Sequence, residues 1–413
     1  MSEKSKAHLD KVLHIIFHAG NIERNILASQ LQLSPVIVSR LLQKLLNQQK
    51  IQIVGKGQST GGRKPEIFSI NPEWGSVIGI AFTSRGITSV SASPDGILDN
   101  ISTYEFSSRF PKTQTLDTLY RAISDQIIFL HRKNRKIFRI GMGISGLVDE
   151  RLGVSINFPR YEQWQDVPVG QSIEKKFSVK TVVANNVTAC TLAENIFGNF
   201  RDAKNVLYFH MGPGLGLGII TRGRVYRGTR LNIGEFGHTT IGGDNNRICY
   251  CGSYGCLESI ASAEALVQEA RNALKHGATS SELVKYMQSP TETKASARSG
   301  VTPNNITASA IFQAAAAGDR LAFHLVERAA RALGTGIANM VNIFAPEVII
   351  LGGMMVQESE LLLDLLKNTL RARALQKIGE DMEVVKSSFG SNEGTMGAIS
   401  LAWSDFFDKT TES

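Results

Sequence analysis

Cysteine is nearly absent. Four in 413 residues exclude a disulfide-built scaffold. Long apolar runs are missing too: none reaches the roughly 18–20 residues a membrane span needs. The N-terminus, "MSEKSKAHLDKVLHIIFHAG", lacks a signal-peptide layout, because His14 and His18 break its apolar stretch and no small-residue cleavage site follows. The chain is therefore expected to be cytoplasmic. In such a compartment clustered cysteines are read as metal ligands or redox groups. Acidic residues are scarce at one end only. Residues 1–70 hold ten Lys or Arg against four Asp or Glu, whereas the remainder is nearly balanced within a total of +8. A small basic module thus precedes a large neutral body, and local positive charge suits a polyanion. The length fits two to three domains, and 42% hydrophobic with 20% charged residues fits a globular protein with sizeable cores.

The basic module reads as three helices. "HLDKVLHIIFHAG" places Leu9, Val12, Leu13, Ile16 and Phe17 on one face and stops at Gly20. "RNILASQLQL" repeats the pattern with Ile26, Leu27, Leu31 and Leu33. In "LSPVIVSRLLQKLLNQQK", Ser34 suits an N-cap and Pro35 the first helical position. Val38, Leu41, Leu42 and Leu45 then face inward, leaving Ser39, Arg40, Gln43 and Lys44 more exposed. Two strand-like stretches follow, "IQIV" (51–54) and "EIFSI" (66–70), joined by the glycine-rich basic "GKGQSTGGRKP". This resembles a winged helix-turn-helix over residues 1–70. Such a fold puts Val36, Ile37, Ser39, Arg40 and Lys44 of its third helix against DNA, with Arg63 and Lys64 of the wing at the minor groove or on phosphates. A protein-interaction module with a flexible hairpin is the alternative.

In the body, strands and helices alternate. Residues 77–106 read as three strands followed by a helix over Thr115–His131, and "NVLYFHMGPGLGLGIITRGRVYRG" again reads strand, glycine turn, strand, turn, strand. Helical segments fill 262–288 and 306–341, "EVIILGGMM" is a buried strand, and 290–305 is a polar loop. A βββα pattern appearing twice points to two related lobes.

Three of the four cysteines, Cys249, Cys251 and Cys256, fall within eight positions of "RICYCGSYGCLES", and His238 lies upstream in "GEFGHTTIGG". Three thiolates and one imidazole make a closed tetrahedral set, as in structural zinc sites. Buried free cysteines, which leave Gly252 and Gly255 unexplained, and a redox pair are the alternatives. Glu235 precedes His238 by three residues and Glu258 follows Cys256 by two, so a clip between these segments aims both carboxylates at one point.

The motifs "GMGISGLVD", "NNVTACTLAE", "GPGLGLGII", "GEFGH", "CYCGSYGCLES" and "NMVNIFAPEVIILGG" run in the order found in the ROK family (repressors, open reading frames, kinases), which the chain resembles over about residues 76–403. The N-terminal module is similar to the family's repressor branch. The resemblance implies an α/β fold: the winged helix-turn-helix followed by a two-lobed actin-like, sugar-kinase (RNase H-like) ATPase fold. Residues 76–184 make the first lobe, with a helix at 391–403 returning to it, and 185–390 make the second, with the metal site and dimerisation helices. It implies zinc on His238, Cys249, Cys251 and Cys256, and sugar hydroxyls on Asn185, Asn186, Glu235, His238 and Glu258. Carboxylates suit this role by accepting paired hydrogen bonds from vicinal hydroxyls.

Family kinases use an Asn-Asp pair, whose aspartate takes the proton of the attacking hydroxyl. Here the pair reads Asn185-Asn186, and an amide is not a base. In "IAFTSRG", Ala81 stands at the acidic position of the first phosphate turn, and Thr83, Ser84 and Arg85 replace its glycines and threonine. The expectation is a repressor of carbohydrate genes, not an enzyme. A homodimer or homotetramer binds a palindromic operator, and a sugar, a sugar phosphate or a phosphotransferase-system transporter subunit controls it. A bifunctional sugar kinase with a DNA-binding head is the alternative.

Overall fold

A computed structural model describes residues 3–57, 64–228, 233–241, 247–287, 306–379 and 382–408. The chain divides into two compact units, one comprising Met1–Phe197 with Gly394–Ser413 and the other Gly198–Glu393.

The first unit opens with α1 (Glu3–Ala19), β1 (Ile22–Glu23), α2 (Arg24–Leu31), α3 (Pro35–Asn47), β2 (Ile51–Lys56) and β3 (Glu66–Ile70). The apolar stripe of α1 is buried as its spacing predicts, with Val12 and Ile16 fully covered. Gln32 ends α2 in the left-handed region, and the Ser34 side chain accepts the Ile37 N–H to start α3 behind Pro35. Val38, Leu41, Leu42 and Leu45 are buried, whereas Ile26 of α2 is half exposed because its face of the short helix meets no neighbour. β2 and β3 form an antiparallel hairpin, with Ile51 opposite Ile70, and β1 adds to the outer side of β3. Three helices and a hairpin follow one another in the order expected of a winged helix-turn-helix.

The rest of the first unit is built on β4 (Ser76–Thr83), β5 (Gly86–Ala92), β6 (Leu98–Tyr104), α4 (Lys112–Arg132) and β7 (Ile137–Ile144). A small sheet of β8 (Val148–Asp149), β9 (Val154–Asn157) and β10 (Gln165–Val167) follows, then α5 (Val169–Phe177), β11 (Thr181–Asn185) and α6 (Asn186–Phe197). The main sheet has the order β11-β7-β4-β5-β6, with β11, β7 and β4 parallel and β5 and β6 added antiparallel. The unit continues through α6, thirteen residues beyond the boundary read from sequence, because α6 follows β11 directly and packs on β7 and β4.

The second unit repeats this topology. Its strands are β12 (Val206–Met211), β13 (Leu215–Thr221), β14 (Arg224–Val225), β15 (Val348–Gly352) and β16 (Glu383–Lys386). Their order is β14-β13-β12-β15-β16, with the first three antiparallel and β12, β15 and β16 parallel. Its helices are α7 (Glu258–Ala261), α8 (Ala263–Lys275), α9 (Ser281–Met287), α10 (Ala308–Ala316), α11 (Arg320–Phe344), α12 (Met354–Glu358), α13 (Glu360–Arg373) and α14 (Gln376–Gly379). The segments read as helical, 262–288 and 306–341, each contain two helices, α8 with α9 and α10 with α11. Ser262, Thr307, Asp319 and Ser359 each cap a new start by accepting a backbone N–H three residues on. The polar loop expected at 290–305 lies outside the described residues.

A last helix, α15 (Glu393–Asp408), runs into the first unit. Trp403 and Phe407 are buried there. Phe407 stacks on Phe17 of α1 with ring centroids 4.2 Å apart, and Phe406 stacks on Phe138 of β7 at 4.4 Å. Trp74, between the N-terminal module and β4, meets Phe406 at 5.5 Å. One aromatic cluster therefore joins α1, the linker, β7 and α15 within the first unit.

Candidate functional site

On α3, Val36 and Ile37 are 62% and 43% exposed although both are apolar. Large apolar side chains at the start of a helix, outside the packed stripe, are a contact surface rather than core. Arg40 is exposed beside them and Lys44 is half-buried one turn later. The Ser39 hydroxyl donates to the Pro35 carbonyl at 2.8 Å and accepts from Arg24 at 3.3 Å, so its proton is already used within the helix. Lys64 is exposed at the base of the hairpin, and Arg63 lies outside the described residues.

In the second unit the predicted ligands converge. His238 Nδ1 lies 3.7 Å from Cys249 Sγ, Cys251 Sγ lies 3.7 Å from Cys256 Sγ, and all four donor atoms fall within 4.8 Å of one another. A tetrahedral ion with sulfur at about 2.3 Å spaces its thiolates by about 3.7 Å, so the set can hold a metal ion. The backbone makes this arrangement. Cys249 N–H donates to Ser253 O, Gly252 N–H returns to Cys249 O, and Gly252 and Gly255 take φ of 86° and 74°, which side chains disfavour. Leu257 N–H donates to Thr239 O, and Thr240 bridges Cys256, which stitches the cysteine loop to the histidine segment. Arg247, at the loop's start, pairs with Glu269 of α8, which also pairs with Arg328 of α11. Burial raises the Cys249 thiol and pushes Cys256 up to about 12, whereas the Ser253 N–H lowers Cys251. A cation held among them would supply the charge that lets buried thiols ionise.

Around this knuckle stand the two glutamates. Glu235 is exposed, its Oε2 3.9 Å from His238 Nε2. Glu258 is buried at the start of α7, where its Oε2 accepts the Leu215 N–H at 2.8 Å. Leu215 begins β13, so the carboxylate braces the hairpin turn of residues 212–214. Gly237 is required here, since a Cβ would stand 2.8 Å from Glu258 Oε2 and 2.7 Å from Leu215 O. Tyr250 was not singled out from sequence. Its hydroxyl sits 3.1 Å from His238 Nε2, so both nitrogens of the imidazole have assigned neighbours. Partial burial, then the charges of Glu258 and Glu235, raise its phenol pKa, which puts both carboxylates within electrostatic reach of one hydroxyl. An aromatic between two ligands of a C-x-C pair was the available signal.

In the first unit, the Asn185 amide bonds to backbone. It donates to Gly146 O and accepts from Val187 N–H, both at 2.8 Å, and so starts α6. Asn186 is the first residue of that helix and half-buried. Ala81, buried in β4, offers no polar group.

A family model described as the ROK family matches residues 96–405. The chain belongs to the ROK family. Among its relatives, the xylose repressor of Caldicellulosiruptor bescii is 28% identical over 95% of this chain and 94% of its own length. The DNA-binding transcriptional dual regulator NagC of Escherichia coli is 29% identical over 94% and 90%. A crystal structure of a ROK-family transcriptional regulator, a homologue of the E. coli MLC protein, superposes with TM-score 0.79 at 25% identity and covers all of both chains. The ROK glucokinase of Streptomyces griseus, solved with glucose and a nucleotide analogue, gives 0.66 at 25% identity over 79% of this chain and 99% of its own. The likeness to ROK regulators thus spans the winged helix and both units, whereas the kinase matches a chain length short of the whole. Among the described residues, no helix is long and apolar enough to cross a membrane.

Proposed function

We propose that this ROK protein is a DNA-binding repressor of carbohydrate uptake or metabolism genes, controlled by a sugar or sugar phosphate that its kinase-like body binds without phosphorylating. The observation that carries this is the end-to-end likeness to ROK transcriptional regulators, joined to an N-terminal module whose third helix exposes Val36, Ile37 and Arg40. A homodimer places two such helices in successive major grooves of a palindromic operator, with Lys44, Lys64 and Arg63 on the phosphates.

In the second unit, zinc on His238, Cys249, Cys251 and Cys256 plays a structural part: the donor set is closed, so it leaves no position for substrate. It fixes the loops that carry Glu235 and Glu258. Glu235 is exposed and presents both carboxylate oxygens to sugar hydroxyls. Glu258 has one oxygen on the Leu215 N–H, so it orients the hairpin turn beside the sugar it helps to hold. Asn186 is the amide candidate of the first unit, and Asn185 shapes the backbone there. Phosphoryl transfer lacks its base at Asn186 and its acidic group at Ala81, and residues 212–214 form the β-hairpin turn between β12 and β13, which needs no nucleotide to explain it.

The test is thermal-shift and calorimetric screening of sugars and sugar phosphates on the full chain, repeated with Glu235→Ala, alongside operator binding. Ligand-induced loss of operator affinity, abolished in Glu235→Ala, is expected. Coupling of this kind is reciprocal and typically about 1–3 kcal/mol. Turnover of a sugar with Mg-ATP above that of Asn186→Ala supports the bifunctional kinase instead. Silence across the panel with a folded sample refutes the small-molecule effector and leaves a protein partner such as a transporter subunit.

A further inference from the structure

His14 and His18 lie four residues apart on α1, so they share one face, and their ring centroids are 4.4 Å apart. The facing atoms, Nδ1 of His14 and Nε2 of His18, each stand 3.1 Å from the same oxygen, Oδ1 of Asp408. Asp408 ends α15, 390 residues along the chain from His18. Its second oxygen, Oδ2, accepts from the Ser404 hydroxyl at 2.5 Å, which turns Oδ1 toward the imidazoles. His14 Nδ1 is buried and makes no aligned hydrogen bond despite that 3.1 Å approach.

We propose that His14, His18 and Asp408 form a second metal site, for a divalent cation of the zinc class, which clips the DNA-reading module to the C-terminal helix. The three donor atoms lie within 4.8 Å of one another. A tetrahedral ion with N and O donors at about 2.0–2.1 Å needs them roughly 3.3 Å apart, and both nitrogen–oxygen separations already approach that value. Two imidazoles with one carboxylate select zinc, cobalt or nickel over magnesium or calcium. The Ser404 bond is the outer-shell support that such ligating carboxylates receive. The three side chains are 34%, 35% and 45% exposed, which leaves an entry path and room for water to complete the coordination. The misaligned Nδ1 distinguishes the cluster from a plain histidine–carboxylate pair, where both N–H groups aim at the oxygen. The neighbouring Phe17–Phe407 stack already holds the two helices together, so the ion meets ligands that need little ordering. Occupancy restrains α1, and α1 packs against α3, so operator affinity follows the metal.

The site is independent of the cysteine knuckle, and so is its test. Metal-stripped full-length protein is titrated with Co²⁺ alone, and bound zinc is counted after dialysis. Two ions per chain are expected in the wild type: one with the intense near-ultraviolet thiolate–cobalt band and one without it. His18→Gln and the conservative Asp408→Asn each lose the bandless ion and keep the other; Cys251→Ser does the reverse. One ion per chain in the wild type, or two that survive both His18→Gln and Asp408→Asn, overturns the proposal. The wild-type count does not depend on any variant folding. As a second readout, zinc added to the Cys251→Ser protein raises operator affinity at least threefold, and no change overturns the clip.

Discussion

Glu393 is the most searching place to perturb the second unit, because it is a buried carboxylate with a countable set of partners. Its Oε2 accepts from the Tyr208 hydroxyl at 2.9 Å and from the Gly353 N–H at 3.0 Å, while Oε1 lies 3.4 Å from His210 Nδ1. It anchors the first residue of α15 to β12 and to the turn after β15. Glu393→Ala removes the acceptor of the Gly353 N–H and the 2.9 Å partner of the buried Tyr208 hydroxyl, which keeps His210 Nδ1 at 3.5 Å. One orphaned buried group costs about 1–3 kcal/mol and the lost charge assistance about 1–2 kcal/mol more, so the variant should lose about 2–5 kcal/mol. Glu393→Gln keeps an acceptor for both donors and forfeits only the charge assistance, about 1–2 kcal/mol. Burial on its own raises the Glu393 carboxyl, but His210, the Gly353 N–H and the Tyr208 hydroxyl outweigh it, and its pKa is held below the ordinary value. A depressed folded-state value adds stability above the unfolded value of about 4.3, lost as pH falls through the lower folded one. Wild type should therefore lose stability more steeply than Glu393→Gln below about pH 4. Urea unfolding followed by circular dichroism, fitted to the second unit's transition, measures all three. Equal losses for Ala and Gln within about 0.5 kcal/mol, or parallel pH profiles, would refute the network.

Removing the Tyr250 hydroxyl with Tyr250→Phe should weaken metal binding at the knuckle by roughly 10–100-fold, as loss of outer-shell partners does; chelator competition reads it, and an unchanged affinity removes Tyr250 from that role. Neutralising Arg40 and Lys64 together should weaken operator binding and flatten the log K against log salt slope by about one per lost phosphate contact, and a slope unchanged in fluorescence anisotropy takes both off the backbone. Phe17→Ala empties one side of a stack with Phe407 and should cost about 3–5 kcal/mol in thermal unfolding of the first unit. A loss below about 1 kcal/mol there would mean the aromatic cluster does not hold the reading head.

Much of this protein was legible in its sequence because the signals are local. The stripe of α1, the Ser34-Pro35 start of α3 and the repeated strand pattern report on spacing of a few residues, and helices and strands answer to that spacing directly. The cysteine loop was legible for the same reason, since a knuckle needs its ligands and glycines close in the chain. What the tertiary structure decided concerns groups far apart in sequence competing for the same atoms. Only the folded chain shows that the Asn185 amide bonds Gly146 and Val187, that one oxygen of Glu258 serves Leu215, and that the helical segments 262–288 and 306–341 each divide in two. Only it brings His14 and His18 to Asp408, because their separation along the chain carries no periodic trace. A polar side chain's identity is written in the sequence, but which of its few hydrogen-bonding positions stay open depends on whatever the fold packs against it.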